Sequence, residues 1–202
     1  MSRSALIYTA LAAIAIAAVA VFALRDPAQP IPPALENRTD LEDLREGSMK
    51  KLAFHPAPKP AGTAAYDTAE GGKATLADHQ GRYVLLNFWA TWCAPCRKEM
   101  PMLAALQDEF GGDRFEVLTI ATGRNNPAQM QKFFDEIGVT NLPLHRDPSS
   151  ALAREMGVLG LPVTVILAPD GTEIARMLGD AEWDSDSAKA IIRAVLDAQE
   201  QG

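Results

Sequence analysis

The chain has two cysteines, Cys93 and Cys96, in the run Trp92-Cys93-Ala94-Pro95-Cys96. An apolar segment, Tyr83 to Ala90 (YVLLNFWA), precedes them and has the length of a buried strand. A helix is predicted to follow, from about Pro95 to Phe110. At such a junction the first sulfur stands at the helix N-terminus, where unpaired N–H groups and the macrodipole favour a thiolate. Thiolates, not thiols, attack disulfides, and such surroundings lower a thiol pKa from about 8.5 to as little as roughly 3.5–7.5. The second cysteine lies one turn further in, close enough to resolve a mixed disulfide. Pro95 costs nothing in the first turn and fixes the loop. An inert disulfide closing so short a loop gains little entropy, and two thiolates leave a tetrahedral zinc half-liganded. The spacing points to a redox-active pair.

The elements that would hold this pair are legible on either side. Ala64 to Asp67 and Lys73 to Leu76 flank Gly71-Gly72 as a hairpin. Pro101 falls inside the helix after the cysteines, where a hydrogen bond must be lost and a kink is expected. Phe115 to Ala121 reads as a second buried strand, and Asn126-Pro127 opens another helix with a capping residue. Leu161 to Leu167 and Thr172 to Leu178 form a hairpin around Pro169-Asp170-Gly171. In the last helix Ala188, Ile191, Ile192, Val195 and Leu196 make one apolar stripe. The order describes an α/β sandwich with a mixed sheet flanked by helices.

Before this domain the composition changes twice. Ala5 to Leu24 is uncharged over 20 residues, enough for a helix of roughly 30 Å, the hydrocarbon thickness of a bilayer. We expect residues 1–25 to be an N-terminal transmembrane signal anchor. The alternative is a cleaved signal peptide with Ala18-Val19-Ala20 as its processing site. Either exports the rest of the chain. Residues 26–60 carry prolines at 27, 30, 32, 33, 56, 58 and 60 and read as an extended tether, with an ordered extension packed on the domain as the alternative. The globular domain is then expected over 61–202. The 202 residues hold 19 Lys plus Arg and 26 Asp plus Glu, a net charge of −7, and 48% are hydrophobic. These values exclude a chain disordered throughout and argue against nucleic acid as partner.

The segment Asn87-Phe-Trp-Ala-Thr-Trp-Cys-Ala-Pro-Cys-Arg-Lys-Glu-Met-Pro101 resembles the active-site segment of the thioredoxin superfamily. It is most similar to the membrane-anchored TlpA/ResA/CcmG-like branch. The resemblance continues through Leu142-Pro-Leu-His-Arg-Asp-Pro148, Gly160-Leu-Pro-Val-Thr164 and Pro169-Asp-Gly171, covering about 61–200. It implies a thioredoxin-like fold with Cys93 as nucleophile and Cys96 as resolving cysteine. It also implies Leu161-Pro162 as a cis-proline loop offering backbone to an incoming peptide. Trp92, adjacent to Cys93, is expected to shield the sulfur and help form the docking surface, and Pro95 to support the active-site loop. Asn87 stands where thioredoxin has a buried aspartate, so proton handling must come from elsewhere. Glu99 matches a glutamate of this branch and neighbours Cys96 on the helix. It either assists proton transfer from Cys96 or contacts the partner, or is simply solvated.

Carried over from that branch, the activity is reduction of cysteine pairs by dithiol–disulfide exchange without a cofactor or metal. The implied partners are apocytochrome c and copper-site proteins of cytochrome oxidase, with a CcdA/DsbD-type membrane electron donor. The implied place is the inner membrane, single-pass through residues 5–24, with the domain in the periplasm. Alternatives are a disulfide-forming oxidant, or a Sco-like copper chaperone using His145, although Sco-like proteins space their cysteines as CxxxC. A holdase-like domain with incidental cysteines is a further alternative. His55 in the tether and His79 in a surface turn are expected to have no catalytic role, and Trp89 to be core.

Overall fold

The computed structural model describes Glu36 and residues 38–200. The anchor expected at 5–24 lies outside the described residues, among which no helix is long and apolar enough to cross a membrane. The chain begins with α1 (Arg38–Asp43), a short 3-10 helix at Gly47–Lys51, and strand β1 (Ala53–Lys59). The hairpin β2 (Tyr66–Asp67) and β3 (Lys73–Ala74) and a 3-10 turn at Leu76–His79 lead to β4 (Tyr83–Trp89). Then come α2 (Ala94–Phe110), β5 (Phe115–Thr122), α3 (Pro127–Ile137), β6 (His145–Asp147) and α4 (Ala151–Glu155). A final hairpin, β7 (Val163–Leu167) and β8 (Glu173–Leu178), precedes α5 (Asp186–Glu200).

The strands form one sheet in the order β1-β8-β7-β4-β5-β6-β2-β3. β4 runs parallel to β5 and antiparallel to β7, so the sheet is mixed as the pattern implied. All seven residues of β4 are buried because helices cover both faces. Alternation along the strand sends Tyr83, Leu85 and Trp89 into one apolar cluster with Met100, Leu103, Phe134, Ile191 and Val195. Val84, Leu86 and Phe88 enter the other, with Tyr66, Leu152 and Val165. Asn87, on the first of these faces, points toward α2.

The expected tether is overturned from residue 38 onward. Leu41, Met49, Leu52 and Phe54 are all buried in the first cluster. Ser48 Oγ accepts from the Glu182 amide at 2.9 Å, and the Ser187 hydroxyl donates to the Leu44 carbonyl at 2.7 Å. His55, expected in the tether, is buried with Nε2 2.7 Å from Glu173 Oε1, and Arg176 grips the same carboxylate. The prolines are compatible with this because β1 is an edge strand, pairing only with β8. Pro56 and Pro58 lack N–H groups that an edge strand has no need to pair on its open side. His79 is likewise not in a free turn. Its Nε2 lies 2.6 Å from the Tyr66 hydroxyl, and its Nδ1 meets Glu116. The strand β6 and helix α4 were not anticipated, being only three and five residues long.

Candidate functional site

Cys93 is the N-cap of α2, with extended backbone, and Ala94 and Pro95 fill the first helical positions. Its sulfur accepts from the Cys96 amide at 3.2 Å, so one unpaired donor of the helix start is aimed at it. Cys93 and Cys96 are joined in a disulfide, with sulfurs 2.06 Å apart. Cys96 is fully buried, whereas Cys93 keeps 5% of its surface in solvent. Trp92, next to Cys93 in the chain, is 69% exposed. Trp89 is core, stacked on Phe134 with ring centres 5.3 Å apart.

The asymmetry of the two sulfurs makes a testable expectation. In the reduced protein, iodoacetamide at near-neutral pH should alkylate Cys93 first, because only Cys93 has both solvent access and the helix terminus behind it. Mass mapping that finds Cys96 modified first would reverse the assignment.

Beneath the pair lies Glu99, and it is not solvated. Cys96, Glu99, Met100 and Leu103 form the inward stripe of α2, all fully buried. One Glu99 oxygen accepts from Asn87 Nδ2 at 2.7 Å and the other from Trp183 Nε1 at 3.3 Å. Burial pushes its pKa up to about 7, against the lowering effect of hydrogen bonds from Asn87, Trp183 and the Ala181 backbone; Asp180 adds to the rise. A carboxyl so placed changes protonation near neutrality. Asn87 Nδ2 also donates to Thr164 Oγ1 at 2.9 Å, while Asn87 Oδ1 is buried without a partner. Turning the amide end for end would give Oδ1 two donors, the Thr164 hydroxyl and a protonated Glu99. One amide thus serves both charge states of the acid.

Leu161-Pro162 is a cis peptide bond, as the resemblance implied. The register pairs Val163 with Phe88, setting Pro162 beside the end of β4 from which the cysteine loop departs. Pro162 is buried and its carbonyl accepts from the Gly179 amide at 3.0 Å. Leu161 has no backbone hydrogen bond within the described residues, so its amide and carbonyl remain open to a ligand. Leu159 and Leu178, both exposed, flank a cavity of about 390 Å³ at this loop.

His145 is not with the sulfurs. It sits on β6, two strands from β4, where its Nδ1 accepts from the Ala69 amide at 3.0 Å and its ring lies 5.4 Å from that of Tyr66. Two members of the site escaped sequence reasoning. Trp183 is a single aromatic in an acidic loop, with nothing local to mark it as a partner of Glu99. Asn125 accepts from the Thr91 amide at 2.9 Å through its side chain and so braces the cysteine loop from the segment that follows β5. For Glu99 a signal did exist, since it falls in register with Cys96, Met100 and Leu103.

Comparison with known proteins agrees with this geometry. Residues 55–174 match the AhpC/TSA family. The chain is 31% identical over 137 residues to the thiol-disulfide oxidoreductase ResA of Bacillus cereus, covering 68% of this chain and 78% of that protein. It is 34% identical over 117 residues to the thiol:disulfide interchange protein HelX of Rhodobacter capsulatus, covering 56% and 64% respectively. Across such curated relatives the matched stretch spans 58–78% of their lengths, and under two thirds for most. Among solved structures, a DsbE-type thiol:disulfide interchange protein from Chlorobium tepidum superposes with a TM-score of 0.61 at 25% identity, over 69% of this chain and 96% of that one. With its cysteine pair capping α2 in a thioredoxin-like fold, the chain belongs to the AhpC/TSA family as a thiol-disulfide oxidoreductase of the ResA/HelX/DsbE-like kind.

Proposed function

We propose that this oxidoreductase works as a reductant, anchored through residues 5–24 with its domain in the periplasm. Its proposed clients are cysteine pairs of apocytochrome c or of the proteins that assemble the copper site of cytochrome oxidase. The observation that carries the reading is the buried Glu99, poised near neutrality on the same helix face as Cys96. In the first step the Cys93 thiolate attacks a client disulfide. A Cys93–client bond forms, the client S–S bond breaks, and one client thiolate leaves. Cys96 then gives up its proton and attacks the Cys93 sulfur, closing the Cys93–Cys96 disulfide and releasing the second client thiolate. Two electrons pass to the client. Glu99, neutral or charged at little cost near pH 7, is suited to take the Cys96 proton, which Asn87 cannot do. The open Leu161 backbone would hold the client strand, and Trp92 would cover the sulfurs. A CcdA/DsbD-type membrane donor would return the electrons.

Cys96→Ser tests this directly. Without the resolving thiol, the client should accumulate on Cys93 as a mixed disulfide, recoverable from membranes and released by dithiothreitol. Capture of an apocytochrome c or a copper-site assembly protein supports the proposal. Failure to trap any protein, while the variant still reacts with small disulfides, refutes it. An oxidant would instead convert client dithiols to disulfides starting from the oxidised wild-type protein, the Cys93–Cys96 bond breaking as the client's S–S bond forms.

A further inference from the structure

A second cavity, of about 390 Å³, opens on the other side of the cysteine loop, between Trp92, the outer face of α2 and α3. Two of its lining residues, Trp92 and Arg97, flank the cysteine pair in the chain. Trp92 precedes Cys93 in the chain, and the Arg97 amide bonds to the Cys93 carbonyl at 3.2 Å. Its rim is cationic. Arg97 lies 4.3 Å over the Phe133 ring and pairs with Glu136 at 3.0 Å, and Lys132 reaches the same carboxylate at 3.9 Å. Arg124 is exposed and makes no ion pair or hydrogen bond among the described residues.

Three cations face one anion here, a local charge of +2 on a chain whose net charge is −7. Arg124 is also held in place. Gly123 takes a left-handed conformation (φ 75°) and bonds to the Asp147 carbonyl, and buried Asn125 ties the next position to Thr91. The backbone on each side of Arg124 is therefore fixed, and its unpaired guanidinium is presented beside an exposed indole. An unpaired arginine next to a largely exposed tryptophan has the composition of an interface anchor.

We propose that this cavity is a subsite for the client chain, seating an acidic side chain that flanks the client's cysteine pair, with Trp92 and Phe133 as its apolar wall. The assignment rests on the reductase reading above and adds to it the local chemistry of the client. A carboxylate entering here meets Arg124 and Lys132 without displacing the Arg97–Glu136 pair. Charge at such a rim acts chiefly on the association rate and is screened by salt.

The test uses the reduced protein and three synthetic Cys-x-x-Cys peptide disulfides, identical except for Glu, Gln or Lys beside the cysteine pair. Exchange rates are read by acid quench and thiol labelling. At low ionic strength the Glu peptide should be reduced about tenfold faster than the Lys peptide. The ratio should fall toward one in 1 M salt. Arg124→Glu brings the local charge to zero and should level the three rates, and Arg124→Glu with Lys132→Glu should invert their order. Both positions are on the surface, and circular dichroism confirms that the variants fold. Wild-type rates independent of flanking charge, or a double variant that keeps the wild-type order, would overturn the subsite while leaving the reductase reading intact. No reduction of any of the peptides would overturn the reductase reading, and the subsite with it.

Discussion

A chain shortened to begin at Ala61 is expected to lose its cooperative unfolding transition, although every residue of the cysteine motif is retained. The cut removes the edge strand β1 and exposes the surface that Leu41, Met49, Leu52 and Phe54 now cover. Burial of each such side chain is worth about 1.5–3 kcal/mol. The four together contribute about 6–12 kcal/mol, as much as the entire stability of an ordinary domain. The cut also leaves Glu173 buried beside Arg176 without His55 and uncovers the far edge of β8, a template for aggregation. Urea titration followed by tryptophan fluorescence checks this. A chain starting at Ala61 that unfolds with the midpoint and slope of one starting at Arg38 would mean that the N-terminal segment is an ornament.

The second large effect is at Glu99 and depends on pH. The native state holds this carboxyl's proton up to about pH 7, whereas the unfolded chain releases it near the ordinary value of 4.5. Between those limits the native state binds more protons, so Glu99 lowers stability as pH rises from about 4.5 to about 7. A shift of this size corresponds to a loss on the order of 3 kcal/mol. Glu99→Gln removes that slope. The variant should match the wild type in mild acid and exceed its stability at pH 8, as shown by denaturant midpoints of the oxidised proteins. Activity should move the opposite way, with slower client reduction and a flattened dependence of thiol alkylation on pH. Gln keeps a hydrogen bond to Asn87, so lost packing does not account for the change. If wild type and variant keep the same stability difference from pH 4.5 to 8, Glu99 carries no unusual proton. If their exchange rates overlay, it has no part in the chemistry.

The expected loss of stability also bears on why a buried acid persists in this position. A neutral side chain would suit the inward stripe of α2 better on packing grounds alone. Cost without packing benefit is what a group retained for reactivity is expected to show.

The sequence by itself determined the parts whose signals are local. The apolar run at 83–90, the Cys-x-x-Cys at its end, the capped helix at Asn126-Pro127 and the turn at Pro169-Asp170-Gly171 all appear where spacing places them. Each depends on residues within a few positions of one another, so periodicity, capping and turn chemistry suffice. Tertiary structure decided what depends on distant partners. The prolines of 53–59 read as a tether because proline disfavours strands in general. Only the sheet order shows that this strand lies at an edge, where the missing N–H groups cost nothing. From the sequence, Glu99 could be read as solvated or as reactive because a helix has two faces. Its burial is settled by Asn87 from β4 and Trp183 from the loop before α5, one 12 and the other 84 residues away along the chain. Desolvation, and with it the raised pKa, is a property of those neighbours together and of no single residue type, which is why it appears only once the chain has folded.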